Sequence, residues 1–233
     1  MARIGSKYFW GFTTVLLLVL AAAAIIVPTL SNMLQHGMHQ APASNLSQIA
    51  KAYAAYSYGS TYGRKIQLLP GSTAHDAAFI LAQKADLNDA SMWFIPTDDA
   101  LANVTLPKLV IDGDLSTATA VAPDFAQLTL SYVFAANVST SAPSTTTPIA
   151  WTRGLQPNGT WSSDSPYNGT GGHIAFLDGH VAWYDKLDAT NADESLVVAP
   201  GWPNAGTATA NITLALPPGA IILPAEPRHT PNP

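Results

Sequence analysis

The chain contains no cysteine, and that absence removes disulfides, thiolate zinc sites and cysteine nucleophiles together. Charge is nearly as scarce: 11% of residues are charged, ten Lys and Arg against fifteen Asp and Glu, where an ordinary soluble domain carries roughly 25%. The few cations are scattered and form no basic stripe. With a formal charge of −5, that excludes nucleic acid as a partner. No G-x-S-x-G elbow and no local Ser, His and Asp set marks a nucleophile. No enzyme activity and no cofactor are therefore expected.

What the chain does have is one long apolar run. Phe9 to Leu30 carries no charged side chain, and no Asp, Glu, Lys or Arg occurs between Lys7 and Lys51. Roughly 20 helical residues at about 1.5 Å each cross a hydrocarbon core of about 30 Å, so the run predicts a membrane-spanning helix from about Phe9 to Met38. Arg3 and Lys7 precede it, which places the N-terminus in the cytoplasm and exports the rest. A secretory signal peptide shares this order of charge and apolar residues, but Ala41-Pro42-Ala43 is a poor cleavage site. An anchor that is uncleaved or minimally trimmed is the expectation.

The segments divide as 1–40, a transmembrane or filament-core helix; 41–198, a small α+β head; and 199–233, a C-terminal extension rich in Pro, Ala and Thr. Ala41-Pro42-Ala43-Ser44 interrupts the first helix. Asn45 and Gln48 then resemble a capping box for a second helix, Asn45 to Ser57. A third helix is predicted over His75 to Lys84 behind Thr73. From Ser91 onward, short apolar runs between Gly, Pro, Asn and Asp predict strands at Met92 to Ile95, Lys108 to Ile111, Gln127 to Ala135 and Pro148 to Trp151. Ala142 to Thr147 reads as a hydroxyl-rich loop, and the apolar runs Ile212 to Leu216 and Ala220 to Leu223 as edge strands or a segment lying on a neighbour. The clearest local signal is the hairpin His173 to Tyr184. Its Asp178-Gly179 suits a tight type I′ turn.

Three groups invite a metal, and each has a plainer reading. Asp178 and His180 beside His173 read as a turn. His36 and His39 share a helix face at i,i+3 spacing, and Asp112-Gly113-Asp114 opens like a calcium loop but lacks its remaining oxygen ligands. No metal site is expected. Six of the eleven Asn residues sit in Asn-X-Ser/Thr sequons, where chance would give about two. Asn103, Asn137, Asn158, Asn168 and Asn211 are candidate glycosylation sites, and Asn45 is disfavoured because it begins a helix.

Several of these segments together resemble type IV pilins and the pseudopilins of type II secretion. Gly11-Phe12-Thr13 ahead of the apolar run is similar to the prepilin processing motif, and Asn45-Leu46-Ser47-Gln48-Ile49 with Ala52 and Tyr53 to the pseudopilin NLKQIGLAL segment. Met92 to Asp99 resembles the F-x-CPSD stretch with its cysteine replaced, and Ser131 to Phe134 resembles the SYGYN strand. Gly171 to Val181 is similar to the GGxNVLFADGHV signature of the H-X9-DG prepilin-type family.

The resemblance implies a fold: a long hydrophobic N-terminal helix followed by a small α+β head with an antiparallel β-sheet. It also implies a function, that of a structural subunit of a periplasmic or extracellular pilus-like or pseudopilus filament. Such a subunit is stored in the inner membrane, exports its C-terminal domain and polymerises with other copies of itself, alongside a secretion or pilus machinery. Val15, Leu16, Leu18, Val19, Ile25, Ile26 and Leu30 would pack between copies, with Pro28 giving local freedom. Gly11 and Phe12 would flank the processing site. The chain departs from the pattern at Asn168, where the family's His would stand, and at Leu16, where most type IV pilins carry Glu. A tip component, an assembly that dispenses with cleavage and a tethered relative that never polymerises all remain open. The alternative function is a membrane-anchored extracytoplasmic binding or adhesin module.

Overall fold

A computed structural model describes residues 39–57, 66–139 and 141–227. The chain divides into two units, Met1–Ala41 and Pro42–Pro233, and the architecture below is that of the second. Four helices are described: α1 (39–57), α2 (Ala74–Ala85), α3 (Pro123–Ala126) and α4 (Ile212–Ala215). Strands β1 (Tyr132–Ala136), β2 (Pro148–Thr152), β3 (Gly172–Phe176), β4 (Val181–Tyr184) and β7 (Ile221–Leu223) form one antiparallel sheet in the order β4-β3-β2-β1-β7. β5 (Leu196–Val197) and β6 (Ala208–Thr209) pair separately.

Helix α1 buries one stripe, Pro42, Leu46, Ile49, Ala50, Tyr53 and Ser57, at the spacing of a single amphipathic face. The stripe meets the sheet where the ring of Tyr53 stands edge-on to Phe134 at 5.7 Å. At its start the Tyr132 hydroxyl donates to the Pro42 carbonyl at 3.1 Å. Alternation along β1 sends Tyr132 and Phe134 to this side and Val133 to the other, where the register continues through Trp151 and Ile174. On that second side the Trp161 ring lies against Gly172, where a Cβ would stand 2.5 Å from it. Leu196, Ile212, Ala215 and Leu216, brought in by the C-terminal elements, belong to the same buried core as the sheet.

The fold-class expectation needs correction. The α+β head with an antiparallel sheet is present, but the long apolar N-terminal helix is not part of the described structure. Among the described residues no helix is long and apolar enough to cross a membrane, and the longest, α1, turns exposed Ala41, Ser44, Gln48, Lys51 and Ala55 outward. The apolar run Phe9 to Leu30 lies outside the described residues.

Other expectations differ in detail. Ala41-Pro42-Ala43-Ser44 is helical rather than an interruption, because a proline forfeits one backbone bond while Pro42 itself is buried on the core-facing stripe. Asn45 is therefore inside α1 and caps nothing; its side chain donates to the Ser91 carbonyl. Met92 to Ile95 is no strand, since Asp89 accepts from the Ser91 amide and starts a 3-10 turn over Ala90–Trp93. Local capping of this kind competes with strand pairing. Lys108 to Ile111 makes only an isolated bridge, Leu109 to Asp89, while Asn88 holds both the amide and the carbonyl of Ile111. Ile212–Ala215 is helical under an Asn211 cap, and Ile221–Leu223 is the strand beside β1.

Helix α2 opens as predicted from Thr73, whose amide donates to Asp76 at 2.8 Å. It carries buried His75, whose Nε2 donates to the Leu128 carbonyl at 2.9 Å. Burial pushes the His75 pKa below its ordinary value of 6.5, against the opposing pull of the Leu128 carbonyl and Asp76. The unfolded chain then binds that proton more readily, so the neutral ring's contribution is complete above about pH 6.5 and is lost as the pH falls below it. Thermal unfolding scans from pH 7 to pH 5 are expected to show a falling midpoint. His75→Gln is expected to flatten that part of the profile relative to the native chain.

Candidate functional site

Two constellations gather the chemistry-bearing residues, one at each end of the sheet. At the end where β1 begins and β2 finishes lies a buried ion pair, Asp98 with Arg153, whose side chains are 1% and 9% exposed. Nη2 of Arg153 reaches both carboxylate oxygens, at 2.7 and 2.9 Å. The remaining acceptor capacity of Asp98 is filled by the Ala100 amide at 3.1 Å and the Ser131 hydroxyl at 2.7 Å. Ser131 in turn accepts from the Ile95 amide at 2.9 Å. Nη1 of Arg153 donates to the Asp164 carbonyl at 2.7 Å, while its Nε has no partner. Three chain segments thus meet at one carboxylate: its own turn through Ala100, the residue before β1 through Ser131 and the residue after β2 through Arg153.

Chemically this is a clamp. Ser131 is fully buried and donates its hydrogen bond to a carboxylate already held by a guanidinium, so it has no solvent access and its hydroxyl is committed to the ion pair. The expected segments Met92 to Asp99 and Ser131 to Phe134 are joined here, by Asp98 and Ser131. Arg153 escaped the sequence reading. Its signal was a lone cation directly after the apolar strand Pro148 to Thr152, where an unpaired charge would be costly.

At the opposite end, β3 and β4 are joined by Leu177, Asp178, Gly179 and His180. The Gly179 amide donates to Phe176 at 2.8 Å and the Phe176 amide to His180 at 3.0 Å. Gly179 has φ +88°, whereas Asp178 is not among the positive-φ residues. The turn is therefore a type I turn closed by a glycine bulge, not the expected type I′. The Ser47 hydroxyl of α1 donates to the Gly179 carbonyl at 2.7 Å, and a Cβ on Gly179 would meet the Lys51 stem at 2.9 Å. The helix thus rests directly on the turn.

His180 Nδ1 contacts Asp178 Oδ1 at 2.5 Å, and its ring stacks on Phe176 at 4.3 Å. Partial burial would raise the Asp178 carboxyl, but the amide and ring of His180 outweigh it and hold the pKa below the usual value. The structure does not bring the two histidines together. His173 pairs with Trp183 and lies three residues from Phe176 along β3, roughly 10 Å away, packed edge-on against Tyr167 and Trp183. Burial raises the Tyr167 pKa.

Asp112-Gly113-Asp114 leads into a turn over Leu115, Ser116 and Thr117, in which Asp114 accepts from the Ser116 hydroxyl and amide at 2.7 and 2.8 Å. Those two bonds lower its pKa. Among the described residues no group of three or more His, Asp or Glu is placed to hold a metal. His36 lies outside the described residues, as do Gly11, Phe12, Val15, Leu16, Leu18, Val19, Ile25, Ile26, Pro28 and Leu30.

The sequons fall into two sets. Asn137 is half-buried and uses its amide fully, accepting from the Leu68 amide at 3.0 Å and donating to the Leu68 carbonyl at 3.1 Å. Asn211 is half-buried and caps α4 through the Thr213 amide. Asn103, Asn158 and Asn168 are exposed. On the second face of the sheet an open groove of about 360 Å³ is lined by Trp151, Arg153, Leu155, Asp164, Ile212 and Ile222, among others. Comparison with known proteins finds no family model, no curated protein and no solved structure that matches this chain.

Proposed function

We propose that this chain is a non-catalytic structural subunit of a pilus-like or pseudopilus filament, held in the inner membrane before assembly and presenting its α+β head outside the cytoplasm. The observation that carries the reading is the seat of α1 on the sheet. The helix, which follows the apolar run in the sequence, buries its stripe against β1 and is tied to the Asp178-Gly179 turn through Ser47. The resemblance of the segments at α1, Met92 to Asp99, Ser131 to Phe134 and Gly171 to Val181 to pseudopilin motifs supports the same reading, as does the scarcity of charge, since charged residues are depleted where surfaces are buried between neighbours.

Polymerisation would bury Val15, Leu18, Val19, Ile25 and Ile26 against other copies, because an apolar segment is as stable among its own kind as in lipid. Leu18→Asp tests this. A buried unpaired carboxylate costs several kcal/mol, so sheared material from cells making the variant is expected to contain no fibres while the head still folds. Fibres that persist in Leu18→Asp would refute packing through this segment.

A second reading, an anchored binding module that does not polymerise, is favoured by the open groove beside Trp151 and Arg153. Membrane-bound protein with no fibres from the native chain would select it.

A further inference from the structure

Three of the six sequons share one end of the head. Asn103 lies five residues beyond Asp98, and Asn158 and Asn168 lie on the long connection from Arg153 to β3, so the Asp98–Arg153 clamp ties both segments to the end of the sheet where β1 begins and β2 finishes. The Arg153 bond to the Asp164 carbonyl pins the middle of that connection. All three Asn residues are exposed. Among the described residues none of the three donates a hydrogen bond from Nδ2. At Asn158 the side-chain oxygen accepts both the amide of Thr160, at 3.1 Å, and its hydroxyl, at 2.8 Å. That bond joins the two sequon side chains and leaves the nitrogen as the unengaged half of the amide.

Asn211 accepts the Thr213 amide much as Asn158 accepts that of Thr160, but it is half-buried at the cap of α4, and Asn137 and Asn45 are built differently. Nδ2 of Asn137 is spent on the Leu68 carbonyl, and that of Asn45 on the Ser91 carbonyl from within α1. A substituent on either nitrogen would break a bond that ties distant segments together. Asn103 (φ 65°) and Asn168 (φ 52°) are left-handed turn positions, as is Asn137 (φ 59°), so exposure and not backbone conformation sets the first two apart.

We propose that Asn103, Asn158 and Asn168 carry N-linked glycans, which would cover this end of the exported head with hydroxyl-rich surface in a chain that has little charge to keep it soluble. Nδ2 attacks the anomeric carbon of a sugar activated on a polyprenyl pyrophosphate. The N–C bond forms as the C–O bond to the pyrophosphate breaks, the polyprenyl pyrophosphate leaves with that electron pair, and one Nδ2 proton passes to solvent. This rests on the export of the head and on no other part of the filament reading.

The experiment is glycopeptide mass mapping of the full chain purified from the cells that naturally make it, alongside protease digestion of intact spheroplasts as an independent readout of export. Peptides holding Asn103, Asn158 and Asn168 are expected to carry saccharide mass, with the Asn137 peptide bare. Thr160→Ala is expected to abolish the modification at Asn158, and Thr160→Ser to retain it. A protease-accessible head with bare Asn103, Asn158 and Asn168 would overturn the glycan assignment and leave export standing. Saccharide at Asn137, or on Ser and Thr side chains in place of Asn, would overturn it as well, and a protected head would overturn export itself.

Discussion

Asp98→Ala is expected to remove about 3–5 kcal/mol of stability, a fall of roughly 10 °C in the unfolding midpoint. The cost arises less from the loss of an attraction than from what is left behind. Arg153 would keep its charge in a site 9% exposed, with Nη2 unpaired and Nε already without a partner, and the Ser131 hydroxyl and Ala100 amide would lose their acceptor. A second variant separates these causes. Asp98→Ala combined with Arg153→Met is expected to recover part of the loss, because a buried ion pair exchanged for apolar groups of similar volume is often neutral. Urea unfolding of the two single variants and the double variant measures the coupling directly. A loss below about 1 kcal/mol in Asp98→Ala would mean that the clamp does not hold the sheet end as described.

Tyr53→Ala is the second large effect, about 3 kcal/mol by analogy with other aromatic truncations in cores. Tyr53 is 1% exposed and stands at the centre of the α1 stripe, edge-on to Phe134. Its removal opens a cavity between helix and sheet and weakens the seat of α1 on β1. Backbone amide exchange is expected to accelerate across 46–57 while β2 and β3, whose buried positions face the rest of the core, keep most of their protection. Equal acceleration everywhere would show that α1 and the sheet unfold as one unit, and no acceleration would show that the helix is held elsewhere.

The parts of this fold that were legible in the sequence are those written in adjacent residues. The β3–β4 hairpin follows from the two short apolar runs on either side of Asp178-Gly179, and α2 from Thr73 and the apolar spacing behind it. The turn type was not legible, because Asp-Gly satisfies both a type I′ turn and a glycine bulge and the choice depends on how Gly179 meets Ser47 and Lys51, 132 and 128 positions earlier in the chain. Distance along the chain also hid the clamp, since Asp98 and Arg153 are separated by 55 positions and neither lies in a motif that names the other. At Met92 to Ile95 a strong strand composition lost to a side-chain cap from Asp89. At Ile212 to Leu216 a short apolar run fitted helix and strand equally, and the Asn211 cap decided it. Pro42 misled for a related reason: its local cost was legible, but its burial on the α1 stripe was not.

The most direct test of a structural-subunit role is electron microscopy of material sheared from cells that make the native chain, with the N-terminal residue of the same material determined by mass spectrometry. Fibres composed of this chain are expected. Those beginning at Phe12 would identify a processed subunit despite Leu16, and those beginning at Met1 a filament assembled without cleavage. Membrane-bound protein with no fibres would contradict the filament role and select the anchored binding module.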